Sequence, residues 1–396
     1  MEKIVFPFFR SVPHGARLLW LTAVLFVCYL CIGMSFPVVP VYVADTLGLD
    51  NFWAGLAAGS AFLATIFTRT YAGGLADRVG VKPVTVRGLL IYMLGIGLSW
   101  TASLSSHWAA FAVLLAGRVL LGLGESLVAV GVVTWGIALV GAASSGRVLA
   151  LIGAAMYGAL ALGGPVGLAL FAHLGFGGVM LAASVLPLIA LVGTLSLPGS
   201  PLQAAGARRG FLPILGRIWP YGTVVCLQGI GFAAIGAFFA LHFLQRHWEY
   251  AGLGLTAFGA GFVLVRLVCG HLPDRVGGLP VVMASLAVEA AGQLMIGLAD
   301  SPGMALAGAF LTGLGCSMVF PSMGREVVMR VEPAQRATAL GAFSAFQDLA
   351  YGLTGPLAGL LADRSGYGHV FLIGALAAAA GLMLAMGLRR RQSAAR

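Results

Sequence analysis

Long apolar stretches, each near the length of a bilayer-spanning helix, follow one another along almost the whole chain, with short polar breaks between them. A hydrocarbon core takes about 20 residues of helix. Stretches of that length begin near residues 18, 53, 84, 108, 147 and 177, and again near 218, 252, 281, 303, 337 and 367. The pattern predicts an all-α membrane protein of about twelve transmembrane helices. The longest polar break, residues 198–213 (PGSPLQAAGARRGFLP), is rich in Pro, Gly and Arg and reads as a linker. It divides the chain into six-helix halves at 1–197 and 214–396. The opening segment MEKIVFPFFRSVPHGAR is short and basic, and no small-residue cleavage site follows it, so the first apolar run reads as a span and not a cleaved signal.

Composition narrows the class. The chain has 396 residues, 60% apolar and only 9% charged, against roughly 25% charged in soluble proteins. That excludes a soluble enzyme, a disordered chain and a disulfide scaffold. The net charge of +10 is informative through its placement. With a cytoplasmic N-terminus, the inside loops carry Arg78, Lys82, Arg87, Arg147, Arg208, Arg209, Arg217, Arg275, Arg325, Arg330 and Arg336, and the outside loops only Arg246 and Arg364. The positive-inside rule then puts both termini in the cytoplasm, in a multi-pass protein of the cytoplasmic (inner) membrane. The basic residues are scattered over short loops and form no patch for nucleic acid. The five cysteines all lie in apolar runs and read as inert thiols, C-x-x-C at Cys28 and Cys31 included. No phosphate-binding loop, metal-ligand cluster or nucleophile–base–orienter set stands out, so no enzyme, cofactor or metal is expected.

An internal repeat relates the halves. Ala54-Gly55-Leu56 matches Ala251-Gly252-Leu253, Arg69 matches Arg266, Gly73 matches Gly270, and Asp77-Arg78-Val79-Gly80 matches Asp274-Arg275-Val276-Gly277. At a slightly smaller shift, Gly122-Leu123-Gly124-Glu125-Ser126 faces Gly313-Leu314-Gly315-Cys316-Ser317, and Gly164-Pro165 faces Gly355-Pro356. Six spans repeated in the same direction give two halves related by a pseudo-two-fold axis along the membrane normal, with the substrate path in the cleft between them.

The segment Gly73-Gly-Leu-Ala-Asp77-Arg78-Val-Gly80-Val-Lys82 resembles the loop signature after the second helix of the major facilitator superfamily, and residues 270–277 resemble its degenerate second copy. Leu114-x-x-x-Arg118-x-x-x-Gly122-x-Gly124 is similar to the fourth-helix signature of the drug:proton antiporter branch, and Gly158 to Pro165 more loosely to its fifth-helix signature. Overall the chain looks most like the YhhS/YfcJ-type, arabinose-efflux-permease-like bacterial branch. The resemblance implies a transporter working by alternating access. It also implies a gate, made by Gly73, Asp77, Arg78, Gly80, Asp274 and Arg275, that stabilises the outward-facing state. The glycines permit a tight turn, and the aspartates suit helix N-termini. Arg69 and Arg266, one helical turn before each loop, are expected near the cytoplasmic interface as gate or anchor residues.

Charges at bilayer depth are costly, which makes each a functional candidate. Glu125 and Asp348 are candidate proton carriers, with Arg118 tuning proton release or binding an anionic group. Arg118 and Glu125 lie about two helical turns apart, roughly 10 Å along the axis, too far for a direct bridge. Tyr29, Tyr157, Gln228, Gln347 and Tyr351 are candidate cavity residues, with Phe36, Phe238 and Phe239 as possible walls. Glu289 is expected to turn inward as a structural acid, and His242 reads as a structural group. These features predict a monomeric, proton-coupled exporter of a small organic molecule. The alternatives are a proton symporter or facilitator for uptake, and a non-transporting membrane receptor or scaffold.

Overall fold

Helices fill the chain because nearly every apolar run is bounded by a residue that lets the backbone turn. Gly80 and Gly277, at matching places in the two halves, take φ of 91° and 92°. A side chain would strain that region, and glycine enters it freely. A computed structural model describes residues 15–141, 145–199, 211–332 and 336–394. Most of the expected linker 198–213 therefore lies outside the described residues.

Twelve long helices follow in order: α1 Gly15–Val41, α2 Asn51–Val79, α3 Val81–Thr101, α4 His107–Val140, α5 (145–174), α6 (176–196), α7 Phe211–Gln245, α8 Leu253–Cys269, α9 Gly278–Gly297, α10 Pro302–Val328, α11 Arg336–Ser365 and α12 Tyr367–Ala394. Helices α5 and α6 run on from one another except at Gly175, whose φ of 64° breaks the helix. Among the described residues nine helical segments are long and apolar enough to cross a bilayer, and one of these, Leu151–Ser196, contains both α5 and α6. Helix α8 falls short in length, with 17 residues, and α11 in apolarity. The polar residues of α11 include Gln347 and Asp348, which line the cavity described below.

The two copies of the loop differ in a way the repeat does not show. Helix α2 continues through Gly73 to Val79, so Gly73 is helical and forms no turn; an added Cβ there would meet nothing within 4 Å. This corrects the turn expected at Gly73. In the second copy the helix stops at Cys269, and a separate short helix, Leu272–Val276, carries Asp274 and Arg275. Pro273 stands where the first copy has Ala76. It has no N–H to give the preceding turn, and its ring clashes with a continuing helix.

Packing repeats closely between the halves. A Cβ on Gly122 of α4 would collide with the Ala61 carbonyl of α2, and a Cβ on Gly313 of α10 would collide with the Phe258 carbonyl of α8. These small residues bring helix backbones into contact, as is common in lipid. The halves themselves meet through α2 against α11, where Gly55 abuts Gly355, and through α5 against α8, where a Cβ on Gly252 would lie 2.8 Å from the Cα of Pro165. Both contacts lie toward the end of the bundle remote from Gly15 and Ala394. At that end Asp363 accepts hydrogen bonds from the Asn51 side-chain amide (2.7 Å) and from the backbone N–H groups of Asn51 (3.1 Å) and Phe52 (3.3 Å).

The buried apolar residues show the same asymmetry. One continuous core runs through the N-terminal half and takes in the remote end of the C-terminal half, including Phe238, Phe243 and Phe371. Toward the ends that carry the termini, the C-terminal half has a separate core around Ile218, Met323 and Phe343. The two halves thus share a core at one end of the molecule and part at the other.

Candidate functional site

Where the halves part, a cavity of about 690 Å³, its open mouth included, reaches into the bundle. Helices α1, α2, α4 and α5 of the N-terminal half and α7 and α11 of the C-terminal half line it. The walls hold Tyr29, Phe36, Phe62, Arg69, Arg118, Glu125, Tyr157, Phe232, Gln347, Asp348 and Tyr351. Of the sequence candidates, Tyr29, Tyr157, Gln347, Tyr351, Glu125, Asp348 and Arg118 come together here.

The charged groups fall into three sets. Arg69 grips Asp348 with two hydrogen bonds, one from Nε to Oδ2 and one from Nη2 to Oδ1 at 3.0 Å. The Asp348 carboxyl is almost wholly buried and the Arg69 side chain 29% exposed. This pair joins α2 to α11 and therefore one half to the other. Bidentate guanidinium–carboxylate geometry is among the strongest polar contacts a protein makes. Glu125, 6% exposed, accepts a hydrogen bond from the Tyr29 hydroxyl at 2.6 Å. Arg118, 1% exposed, donates to the Ala57 carbonyl oxygen at 3.3 Å and to Ser35 Oγ at 3.1 Å. Both of its partners are neutral, and among the described residues no carboxylate lies within ion-pair distance of it.

Depth orders these groups. Arg118 sits at the level of Ala57, Gly122 at the level of Ala61, and Arg69 two further turns along α2. Arg118 therefore occupies the closed end of the cavity and the Arg69–Asp348 pair its mouth, with Glu125 between them. The sequence expectation that Arg118 and Glu125 are too far apart to pair agrees with their separate partners. The expectation that Arg69 lies near the interface is corrected: ten residues of α2 follow it, about 15 Å of helix, and its side chain lines the cavity.

The cavity walls are joined by aromatic rings. Phe36 of α1 meets Phe62 of α2 at 5.6 Å between centroids, Phe62 meets Tyr351 of α11 at 5.2 Å, Tyr351 meets Phe232 of α7 at 4.8 Å, and Phe232 returns to Phe36 at 5.7 Å. The circuit closes on itself and draws two rings from each half. Sequence reasoning missed Phe62 and Phe232. Phe232 carried a signal, since Gly33 packs on α5 as Gly229 packs on α11, and that shift places Phe232 opposite Phe36 in the repeat.

Other candidates lie elsewhere. Gln228, expected in the cavity, is 2% exposed on the side of α7 that faces Cys316 of α10, inside the C-terminal half. Phe238 and Phe239 are buried in the shared core and do not line the cavity. Glu289 turns inward as expected and is fully buried; a Cβ on Gly231 would lie 2.7 Å from its Oε1. His242 is buried against Trp248 and Phe371, and neither ring nitrogen has a hydrogen-bond partner among the described residues. Arg266 matches Arg69 in position but has no acid to grip. Its Nη2 donates to the Ser317 carbonyl oxygen at 2.8 Å, and its guanidinium stands 5.2 Å over the Phe262 ring.

Of the loop residues, Arg78 and Arg275 are exposed at the parted end of the bundle. Asp274 is exposed too and lies 3.5 Å from Arg325 of α10, in its own half, and not on the helix N-terminal amides expected for it. The Asp77 side chain lies outside the described residues. No group of three or more metal-ligating side chains occurs among the described residues.

Comparison with known proteins accords with this architecture. The family model for the Major Facilitator Superfamily matches residues 21–251 and 221–396. An "Uncharacterized MFS-type transporter" of Salmonella typhimurium (strain LT2) is 45% identical over 364 residues, covering 91% of this chain and 93% of that one. Another, of Burkholderia mallei (strain SAVP1), is 42% identical over 371 residues, 93% of this chain and 91% of that one. Among solved structures, the nucleoside transporter NupG superposes with a TM-score of 0.77 at 17% identity, covering 93% of this chain and 99% of that one. The E. coli fucose:proton symporter FucP superposes with a TM-score of 0.65 at 16% identity, covering 94% and 98%. With its repeated six-helix halves and central cavity, the chain belongs to the major facilitator superfamily: it is a multi-pass membrane protein and a secondary transporter of small molecules, not an enzyme.

Proposed function

We propose that this protein couples proton movement to the transport of a small organic molecule across the cytoplasmic membrane by alternating access, with both termini in the cytoplasm. The observation that carries the reading is the Arg69–Asp348 pair at the cavity mouth. It ties the two halves together at a carboxylate that a proton can neutralise. A proton on Asp348 removes the charge that Arg69 holds, and with it the tie. Glu125, held by Tyr29 midway along the cavity, is the second carboxyl a proton can reach from the mouth. Halves pinned at the remote end and parted at the end of the termini correspond, with that topology, to an inward-facing state. The gate loops are then released from one another, as Arg78 and Arg275 at the surface agree.

The charge of the substrate sets the sign of coupling. A neutral or cationic substrate competes with the proton for Glu125 and Asp348, which gives exchange and export. The resemblance of the α4 signature to drug:proton antiporters supports that direction. A second reading, co-transport with the proton, is favoured by Arg118: a proton on either acid leaves its charge less balanced and the cavity more attractive to an anion. The fold alone is shared with the fucose:proton symporter, which gives the second reading no further weight.

The test uses a compound selected by its thermal stabilisation of the purified protein, since a ligand of the native state raises apparent stability with its concentration. In proteoliposomes a pH gradient should drive its accumulation, and the direction of that gradient identifies exchange or co-transport. Glu125→Gln and Asp348→Asn should each abolish the effect. Normal gradient-driven transport by both variants would contradict the proposal.

A further inference from the structure

Arg118 is the one cavity-lining charge that neither binds nor faces a carboxylate among the described residues. It is 99% buried, and its two partners are a carbonyl oxygen and a hydroxyl. A buried cation satisfied only by neutral dipoles is held at substantial cost, because removing charge from water is only partly offset by such bonds. It lies at the closed end of the cavity, where a ligand entering from the mouth would arrive last. Ser35, which accepts from Arg118 Nη1, is followed in the chain by Phe36, so the guanidinium borders the aromatic circuit.

From this arrangement we infer that the transported molecule is an aromatic organic anion whose carboxylate or similar acidic group docks on Arg118 while its ring lies against Phe36, Phe62, Phe232 and Tyr351. The substrate class rests on the transport reading given above and sharpens it. The geometry suits each part of such a ligand. A guanidinium presents a planar fork of donors that matches a carboxylate. Ring faces and edges accept a planar apolar body in offset or edge-on contact. Two of the four rings belong to each half, so a ring held among them is in contact with both halves at once. Loss of the anion's charge removes its anchor, whereas loss of its ring removes that bridging contact. The acids do not compete for the same role, since Asp348 is occupied by Arg69 and Glu125 by Tyr29.

The inference is tested on the purified full-length protein by thermal stabilisation with matched probes: benzoate and 2-naphthoate, the neutral benzamide and 2-naphthamide, and the cationic benzylamine and naphthylmethylamine. The carboxylates should stabilise the protein at concentrations about tenfold or more below the amides, and the amines should be weakest. Arg118→Gln should erase that preference, and Arg118→Lys should keep part of it. If Arg118→Gln does not fold, the ranking of the three probe classes on the unsubstituted protein still decides. Amides or amines that stabilise as well as the carboxylates would overturn the inference, as would no stabilisation by either carboxylate up to the millimolar range. An undiminished carboxylate preference in Arg118→Gln would overturn it too. The coupling proposal stands or falls separately. If a pH gradient moves a neutral compound, only the substrate class fails; if carboxylates bind but no gradient moves them, only the coupling fails.

Discussion

The α2–α4 face of the N-terminal half and the α8–α10 face of the C-terminal half are built on one plan and carry different chemistry. In both, a glycine brings two helix backbones into contact, Gly122 on Ala61 and Gly313 on Phe258. In both, an arginine lies at the same turn, Arg69 and Arg266. The side chains then diverge. Glu125 in the first copy corresponds to Cys316 in the second, and Arg118 to Ala309. Arg69 grips Asp348, whereas Arg266 meets Tyr157 at the corresponding place in α5 and settles for a carbonyl oxygen and the Phe262 ring. Shared glycines mark what the fold requires of each half. The charges found in only one copy mark what is left for transport.

Four substitution pairs break or sharpen that comparison. The largest expected effect is on transport: Asp348→Asn should reduce gradient-driven accumulation to background, while Tyr157→Phe at the matching position should leave most of it, both read in proteoliposomes. Next, Arg69→Gln leaves a buried carboxylate without its counter-ion. Removing one partner of a fully buried pair costs about 3–5 kcal/mol; with Arg69 29% exposed, the expected loss is about 2 kcal/mol. Arg266→Gln should cost about 1 kcal/mol or less, because only neutral partners are lost. Third, Gly122→Ala and Gly313→Ala should each destabilise by about 1–3 kcal/mol, and by similar amounts, since the added Cβ meets backbone in both places. Unequal melting shifts for this pair would show that the two halves are not packed alike. The smallest effect belongs to Cys316→Ser, which should leave transport unchanged and shift stability by about 1 kcal/mol, measured by thermal unfolding of the purified variants.

Much of this architecture is legible in the sequence. Spacing and apolarity located all twelve spans to within a few residues, because each is a lipid-length run closed by Gly or a polar break. Repeat offsets paired the glycines that pack alike in the two halves. The charged candidates Arg118, Glu125 and Asp348 were visible because charge is so scarce in this chain. What the sequence concealed depends on rotation about a helix axis. Gln228 and Tyr29 are both single polar groups on cavity-forming helices, yet Tyr29 faces the cavity and Gln228 faces Cys316. Periodicity does not separate them when nearly every neighbour is apolar. Arg69 was misplaced for another reason: the Gly73-Gly74 pair reads as a turn, but α2 runs on through it to Val79, which carries Arg69 deeper into the bundle.

The most direct test of the central claim compares two modes of transport in Glu125→Gln, using the stabilising compound in proteoliposomes. Exchange of labelled for unlabelled compound needs only alternating access; accumulation against a gradient needs the proton. If Glu125 carries the coupling proton, the variant should exchange at near the unsubstituted rate and fail to accumulate under a pH gradient. Accumulation equal to that of the unsubstituted protein would contradict the account.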